Sequence, residues 1–424
     1  MTPPTSPLSN LDPAASCRIA QNWLASRSAE LTATLTDWAN CNTGSENQPG
    51  ILHLAEIIKA YASFLPVRPQ VLHAPSTGQI CALLWQYSPR DSSLPRVLFS
   101  GHIDTVFGPT HPFQTCYLSP DGKRLHGPGV ADMKGGLVIL FAALEAFLRS
   151  DLKDELAWEV LLTFDEEVGS DQNTAHLIAA AQRNDLGIVF ESSPNHSELI
   201  RNRMGTGKVE IHCQGQAAHA GRNFHDGRNA ILALGQYLAQ VADLNTTLPG
   251  CIVNVGAMTG GGPINVVPDQ ADAALNVRAI SPEIQDLLMA QLHESAKITA
   301  HATGCLLTVT GGFTRPPKVA DQATEQLLSA WCRVGRTLGV DIHSRDTGGA
   351  SDGNILQAAG LPNIDNLGAV GTHLHSGAEF TQLSSLVERA QLNVCFLIHL
   401  ASRQLDANGA PLLPFLRTPR KETV

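Results

Sequence analysis

The sequence predicts an α/β protein: a mostly parallel sheet sandwiched by helices, interrupted by a smaller inserted domain. Three observations carry that expectation. Short apolar runs of strand length alternate with helical stretches, the order that builds a parallel sheet covered on both faces. Between residues 203 and 312 the rhythm changes to βαββαβ, the split ferredoxin-like unit. The chain also has 424 residues, more than one hydrophobic core usually holds. The expected division is a large domain formed by residues 1–202 and 313–424, with residues 203–312 inserted as a second domain.

Residues 15 to 65 read as helical, broken at "NCNTGSENQPG", where Asn, Gly, Ser and Pro cluster as in a loop. "RVLFSGHID" (96–104) is a buried strand, and "KGGLVILFAALEAFLRS" (134–150) a long apolar-faced helix. "LAWEVLLTF" (156–164) and "LGIVFES" (186–192) are further strands, with "TAHLIAAAQRN" a helix between them. In the insert, "GKVEIHCQG", "CIVNVGAMTGG", "QADAALNVRAI" and "CLLTVTGGF" are the strands. "RNAILALGQYLAQVADL" and "SPEIQDLLMAQLHESAKITAHATG" are its helices. The α/β pattern then resumes with a helix at 321–338 and a short strand near "PNIDNLG". The first dozen residues and the basic end "LRTPRKETV" read as disordered tails.

Hydrophobic residues at 43% and charged residues at 16% are ordinary for a soluble globular protein. A formal net charge of −10 argues against a general nucleic-acid or anionic-membrane surface. The nine cysteines are odd in number and form no C-x-x-C pair, so neither a disulfide framework nor a cysteine zinc knuckle is expected. They fit buried small apolar residues in a reducing cytoplasm. The N-terminus has no basic and apolar regions of a secretory signal, and no apolar run reaches the roughly 18 residues needed to span a bilayer.

The chemistry-bearing residues follow the expected strands. His102 and Asp104 end the first, Asp165, Glu166 and Glu167 the second, and Glu191 the third. Open α/β sheets bind ligands outside the carboxyl ends of their strands, which would gather these groups in one crevice. Asp132 joins from the Gly-rich "HGPGVADMKGG". Carboxylates crowded at the ends of buried strands repel one another and resist desolvation, so something positive must offset them. Zn²⁺ takes His nitrogen and carboxylate oxygen, and two ions about 3.5–4 Å apart can share a bridging carboxylate.

"SGHIDTV", "HGPGVADMKGG", "TFDEEVGS", "FESS", "GQAAHAGR" and "HLHSGAEF" follow one another in order. In that order and spacing the chain resembles a co-catalytic di-zinc aminoacylase and exopeptidase family. Glutamate carboxypeptidase, acetylornithine deacetylase, succinyl-diaminopimelate desuccinylase and peptidase T are members. The resemblance spans roughly residues 20 to 405 and implies a zinc-exopeptidase-like fold with the insert as a lid and dimerisation domain. It also implies a homodimer and two Zn²⁺ ions, with Co²⁺ or Mn²⁺ fitting the same donors. Asp132 resembles the bridging carboxylate. His102 and Glu191 complete one ion's ligands, and Glu167 and His375 the other's. Glu166 resembles the general base for the attacking water, and Asp104 the carboxylate that orients the His102 ring. The family's cis peptide would fall at Asp132–Met133. His373 is left as a pocket or packing residue and Asp165 as a structural one.

The resemblance extends to the insert. His219 resembles a residue that reaches a partner subunit's active site and stabilises the tetrahedral oxyanion. Arg278 and Asn265 resemble residues that hold the substrate carboxylate, for which the planar guanidinium is suited. Gly348 and Gly349 resemble a backbone loop lining the pocket; Arg315 and Arg203 read equally as substrate contacts or surface charges. The expected activity is hydrolysis of an amide beside a free carboxylate, in a small peptide or an N-acyl amino acid. "GPG" before "VADMKGG" is similar to the glutamate carboxypeptidase form, since many relatives carry Arg where Pro128 stands. N-acyl-amino-acid deacylation is the alternative. A non-catalytic binding protein on the same scaffold would lack a ligand or the base, and a cysteine-nucleophile amidase would need Cys116.

Overall fold

The computed structural model describes residues 12–89, 93–403 and 413–417. The expected tails at 1–11 and 418–424 lie outside the described residues. The chain divides into two compact units, one of Met1–Arg201, Ala320–Asp346 and Ile355–Val424, the other of Asn202–Val319 and Thr347–Asn354.

The first unit is built on a six-stranded sheet. Its order is Gln70–His73, Ile80–Tyr87, Ala157–Thr163, Arg96–His102, Leu186–Val189, Asn363–Ile364. The last four strands are parallel to one another, and the first two run antiparallel at one edge. Ala157–Thr163 is buried at every position, as a strand covered on both faces must be. Alternate residues feed different cores. Val97, Phe99, Val160 and Leu162 join the large cluster under helix Lys134–Leu148, while Leu98 and Leu161 join a smaller one with Leu177 and Ala180. Helix Lys134–Leu148 is apolar all round, and only Glu145 and Leu148 escape full burial. It packs against helices Ser28–Ala39 and Ser384–Ala401, and Trp38, Tyr61, Trp85 and Phe141 meet edge to face in that layer.

The three helices Pro13–Ala25, Ser28–Ala39 and Gln48–Tyr61 occupy the stretch expected to be helical. The expectation passed over Gln70–His73 and Ile80–Tyr87, the antiparallel edge of the sheet. Gln70–His73 has no fully buried residue, so it carries no alternation to read. A separate four-stranded antiparallel sheet, in the order Gly371–Thr372, Phe380–Gln382, Arg124–His126, Tyr117–Leu118, frames the turn that carries His375.

The second unit holds an antiparallel sheet in the order Cys251–Gly260, Gln270–Ala279, Gly205–Gln214, Leu306–Arg315. Helices Ala230–Ala242 and Pro282–Thr303 pack on one face, giving the unit a core of its own. Strand Gly205–Gln214 alternates buried and open positions, the pattern of a sheet covered on one face. Pro282 opens the longer helix behind the Ser281 cap, and Gly304 closes it at φ 70°. The unit runs a few residues past the expected limit of 312 and takes in 347–354, which the sequence had assigned to the other domain. Among the described residues, no helix is long and apolar enough to cross a membrane.

Candidate metal centre

Strand Arg96–His102 lies between Ala157–Thr163 and Leu186–Val189, and all three run parallel. Their carboxyl ends therefore open on one edge of the sheet. His102 closes the central strand. Glu166 and Glu167 sit on a short 3-10 turn that follows Thr163 and ends at Gly169, φ 118°. Glu191 follows Val189, and Asp132 precedes helix Lys134–Leu148, joined to Met133 by a cis peptide. Asp165 takes no part. Its carboxylate accepts from Asn173 Nδ2 at 2.6 Å and Gln172 N at 2.8 Å, fixing the turn.

His102 Nε2 stands 3.4 Å from Asp132 Oδ1, 3.9 Å from Glu166 Oε2 and 3.9 Å from Glu191 Oε1. His375 Nε2 stands 3.2 Å from Asp132 Oδ2 and 3.2 Å from Glu167 Oε2. Asp132 thus meets one imidazole with each oxygen. His102 Nδ1 lies 2.9 Å from the Asp104 carbonyl oxygen. A carbonyl only accepts, so Nδ1 carries the proton and a neutral ring keeps its lone pair on Nε2. That atom is buried with no hydrogen-bond partner, as is Glu167 Oε1. Donor atoms of His102, Glu166 and Glu191, and of His102, Asp132 and Glu167, lie within 4.8 Å of one another. Imidazole nitrogens and carboxylate oxygens around orphaned buried atoms fit divalent cations such as Zn²⁺, Co²⁺ or Mn²⁺.

The electrostatics agree with the geometry. Burial pushes the Glu191 carboxyl well above the usual range, and the Glu167 carboxyl also upward. Asp132 and Glu167 push His375 up to about 11. Burial pulls His102 down, but the neighbouring carboxylates of Asp104 and Asp132 and the charges of Glu191 and Glu166 raise it well above the usual imidazole value. Burial also works against ionised Asp132, yet His102 and His375 hold its carboxyl below the usual range. Acids and imidazoles pushed up together signal surplus negative charge, which a bound dication relieves.

Asp104 has a wider task than the orientation of His102. Its carbonyl holds the ring, while its carboxylate accepts from the backbone N–H groups of Glu166 and Glu167, both at 3.1 Å, and from Ser45 Oγ at 2.7 Å. One buried carboxylate thereby sets the turn that carries both glutamates. Ser45 went unnoticed in a stretch read only as loop. So did the part played by Glu379, four residues after His375 in "HSGAE". Its Oε1 accepts from Ala131 N at 2.9 Å and Asp132 N at 3.1 Å. Burial, with the Asp132 charge, pushes its carboxyl up to about 8. His373 packs toward Phe380 with ring centroids 5.9 Å apart. Cys116 is half-buried, and burial pushes its thiol up to about 11; a nucleophilic cysteine needs the opposite shift.

The remaining residues singled out in the sequence belong to the second unit. His219 accepts from Gly221 N through Nδ1 at 3.1 Å, so its Nε2 carries the proton, and the side chain is exposed. Asn265 is exposed, and its carbonyl accepts from Ala220 N at 2.9 Å. Arg278 Nη1 donates to Gly348 O at 2.5 Å, and Arg203 Nη1 to Gly349 O at 3.0 Å. Arg203 and Arg315 are not surface charges: both are buried, and Arg315 Nη2 lies 3.6 Å from Asp352 Oδ1.

Comparison with known proteins agrees with this arrangement. Carboxypeptidase G2 of Pseudomonas sp. (strain RS-16) is 25% identical over 383 residues, covering 87% of this chain and 89% of its own. Succinyl-diaminopimelate desuccinylase of Acidovorax ebreus (strain TPSY) is 30% identical over 305 residues, 68% of this chain and 76% of its own. The crystal structure of aminopeptidase PepT from Bacillus cereus shares the fold with a TM-score of 0.72 at 20% identity, over 88% of this chain and 99% of that one. The family model of Peptidase family M20/M25/M40 matches residues 98–399, a span that holds the whole carboxylate and imidazole cluster. The chain belongs to peptidase family M20/M25/M40.

Proposed function

We propose that this enzyme is a glutamate-carboxypeptidase-like hydrolase, cleaving an amide next to a free carboxylate with two divalent ions. The observation that carries the reading is the buried, partnerless Nε2 of His102 with three carboxylates 3.4 to 3.9 Å away. In this reading His102, Asp132 and Glu191 hold one ion, and Asp132, Glu167 and His375 the other. Zn²⁺ bound there supplies a Lewis acid for the scissile carbonyl and makes water a nucleophile near neutral pH. Glu166 takes the proton of the attacking water and returns it to the leaving amine, base first and acid second. Asp104 holds Glu166 in place through the 3.1 Å bond to its backbone N–H. Arg278, Asn265 and Gly349 are proposed to hold the substrate carboxylate, and His219, from the partner copy of a homodimer, to stabilise the oxyanion.

The likeness to carboxypeptidase G2 over 87% of the chain supports release of a C-terminal Glu-like residue. A second reading, deacylation of an N-acyl amino acid, is supported by the 30% identity to the desuccinylase. A hydrolysis screen separates them. The chelator-stripped protein, with and without added Zn²⁺, Co²⁺ or Mn²⁺, is offered C-terminal Glu and Asp peptides, folate-like amides, and N-acetyl and N-succinyl amino acids. Metal-restored release of C-terminal Glu is the expected result. Turnover of N-acyl amino acids alone establishes the second reading, and no metal-dependent hydrolysis of any class removes both.

A further inference from the structure

The Asp132 carboxylate reaches both imidazoles, 3.4 Å to His102 and 3.2 Å to His375. Its side chain does this only while the backbone of the Gly127–Met133 loop stays in place. That loop is neither helix nor strand, and its own backbone bonds are those of Val130 N to Gly127 O at 3.3 Å and Lys134 N to Gly129 O at 2.8 Å. Two of its consecutive N–H groups, from Ala131 and Asp132, instead converge on Glu379 Oε1. The Glu379 backbone carbonyl accepts a third bond, from Gly127 N at 3.4 Å, so the loop is gripped at both ends. Glu379 N in turn bonds Ser376 O at 3.1 Å, within the same turn as His375. Close packing leaves little room for another arrangement. A Cβ on Gly371 would lie 2.5 Å from Ala131 Cβ, and one on Gly135 2.4 Å from Val130 O.

We infer that Glu379 is a positioning residue that ties the loop carrying Asp132 to the turn carrying His375, setting the spacing of the two ion sites. Glu379 itself stands outside the proposed ligand set, and its Oε1 is taken by the two backbone N–H groups. One buried oxygen that accepts two consecutive N–H groups leaves neither unpaired in the interior. Partners that orient ligands in this way typically govern metal affinity by about 10–100-fold. The inference rests on the two-ion reading above.

The test is a zinc competition titration against a chromophoric chelator, with visible absorption of the Co²⁺-loaded protein as a second readout. It compares the wild-type enzyme with Glu379→Leu and Glu379→Gln. Glu379→Leu removes the acceptor and is expected to weaken the second ion by about 10–100-fold and to alter the Co²⁺ spectrum. Its kcat should fall further than its KM rises, with partial recovery in excess metal. Glu379→Gln keeps one acceptor oxygen and is expected to retain most of the affinity. Should Glu379→Leu not fold, Glu379→Asp, one methylene short of the two N–H groups, is read in its place and should weaken the same ion. A leucine or aspartate variant that binds both ions as tightly as wild type overturns the inference. A wild-type protein that binds no pair of ions defeats the two-ion reading itself, which the same titration shows directly.

Discussion

A neutral imidazole that gives its Nδ1 proton to the Asp104 carbonyl has one lone pair left, and at His102 that atom sits among three carboxylates. Distance alone does not separate their roles, since Glu166 and Glu191 are both 3.9 Å from it. Substitution does. Glu166→Ala should lower kcat by about 10²–10⁴-fold, the usual worth of a general base, while zinc content by mass spectrometry stays at the wild-type value. Loss of an ion in that variant would make Glu166 a ligand instead. Proton counting gives a second prediction. In the ion-free protein His375, pushed up to about 11, is charged at pH 7. A ligating imidazole must be neutral, so loading should expel the His375 proton, and affinity should rise with pH toward 11. Calorimetric titration in two buffers of different ionisation enthalpy reads that release, and identical heats would contradict it. The sign for ion-free stability is opposite. A raised imidazole value stabilises fully below the unfolded value of about 6.5 and is lost as pH climbs through about 11.

At the scale of elements, the site depends on how closely helix Lys134–Leu148 approaches the sheet. A Cβ on Gly136 would stand 2.0 Å from the Phe190 carbonyl oxygen, a backbone atom that cannot turn aside. The residue after Phe190 is Glu191, so the crossing that demands glycine also sets a proposed ligand. Gly136→Ala should force helix and strand apart, costing about 1–3 kcal/mol as overpacking does, and should weaken zinc binding as Glu191 shifts. Urea unfolding of the chelated protein and zinc competition read the two effects separately; unchanged values in both would refute the crossing. The edge strands tell the same story from the other side. Ile80–Tyr87 pairs antiparallel with Ala157–Thr163 from Ala82 to Tyr87, so with Arg96–His102 on its other side that strand is paired along both edges.

Across the whole molecule, the two units have separate hydrophobic cores, and the cluster of His102, Asp132, Glu166, Glu167, Glu191 and His375 lies wholly within the first. Ion binding should therefore stabilise one unit and leave the other unchanged. A tightly held ion at 1,000 times its Kd adds about 4 kcal/mol. Differential scanning calorimetry of the zinc-loaded enzyme should show a transition that drops on adding chelator and a second that does not move. Equal shifts in both would mean that the units unfold as one.

Much of this was legible in the sequence because its signals are local. "GHID", "FDEE" and "FES" each end an apolar run, so the chain itself announces strands that finish in imidazole and carboxylate groups, and their parallel order follows from the helices between them. The βαββαβ rhythm of the second unit is local in the same sense. Other features had no local trace. Glu379 grips Ala131 across 248 residues, Ser45 holds Asp104 across 59, and Arg203, which the sequence left open between substrate contact and surface charge, is buried against Gly349. Apolar periodicity tells which elements a chain can form and which charges they must carry. Which distant polar group accepts a given N–H is decided only when tertiary packing excludes water and leaves one partner within reach.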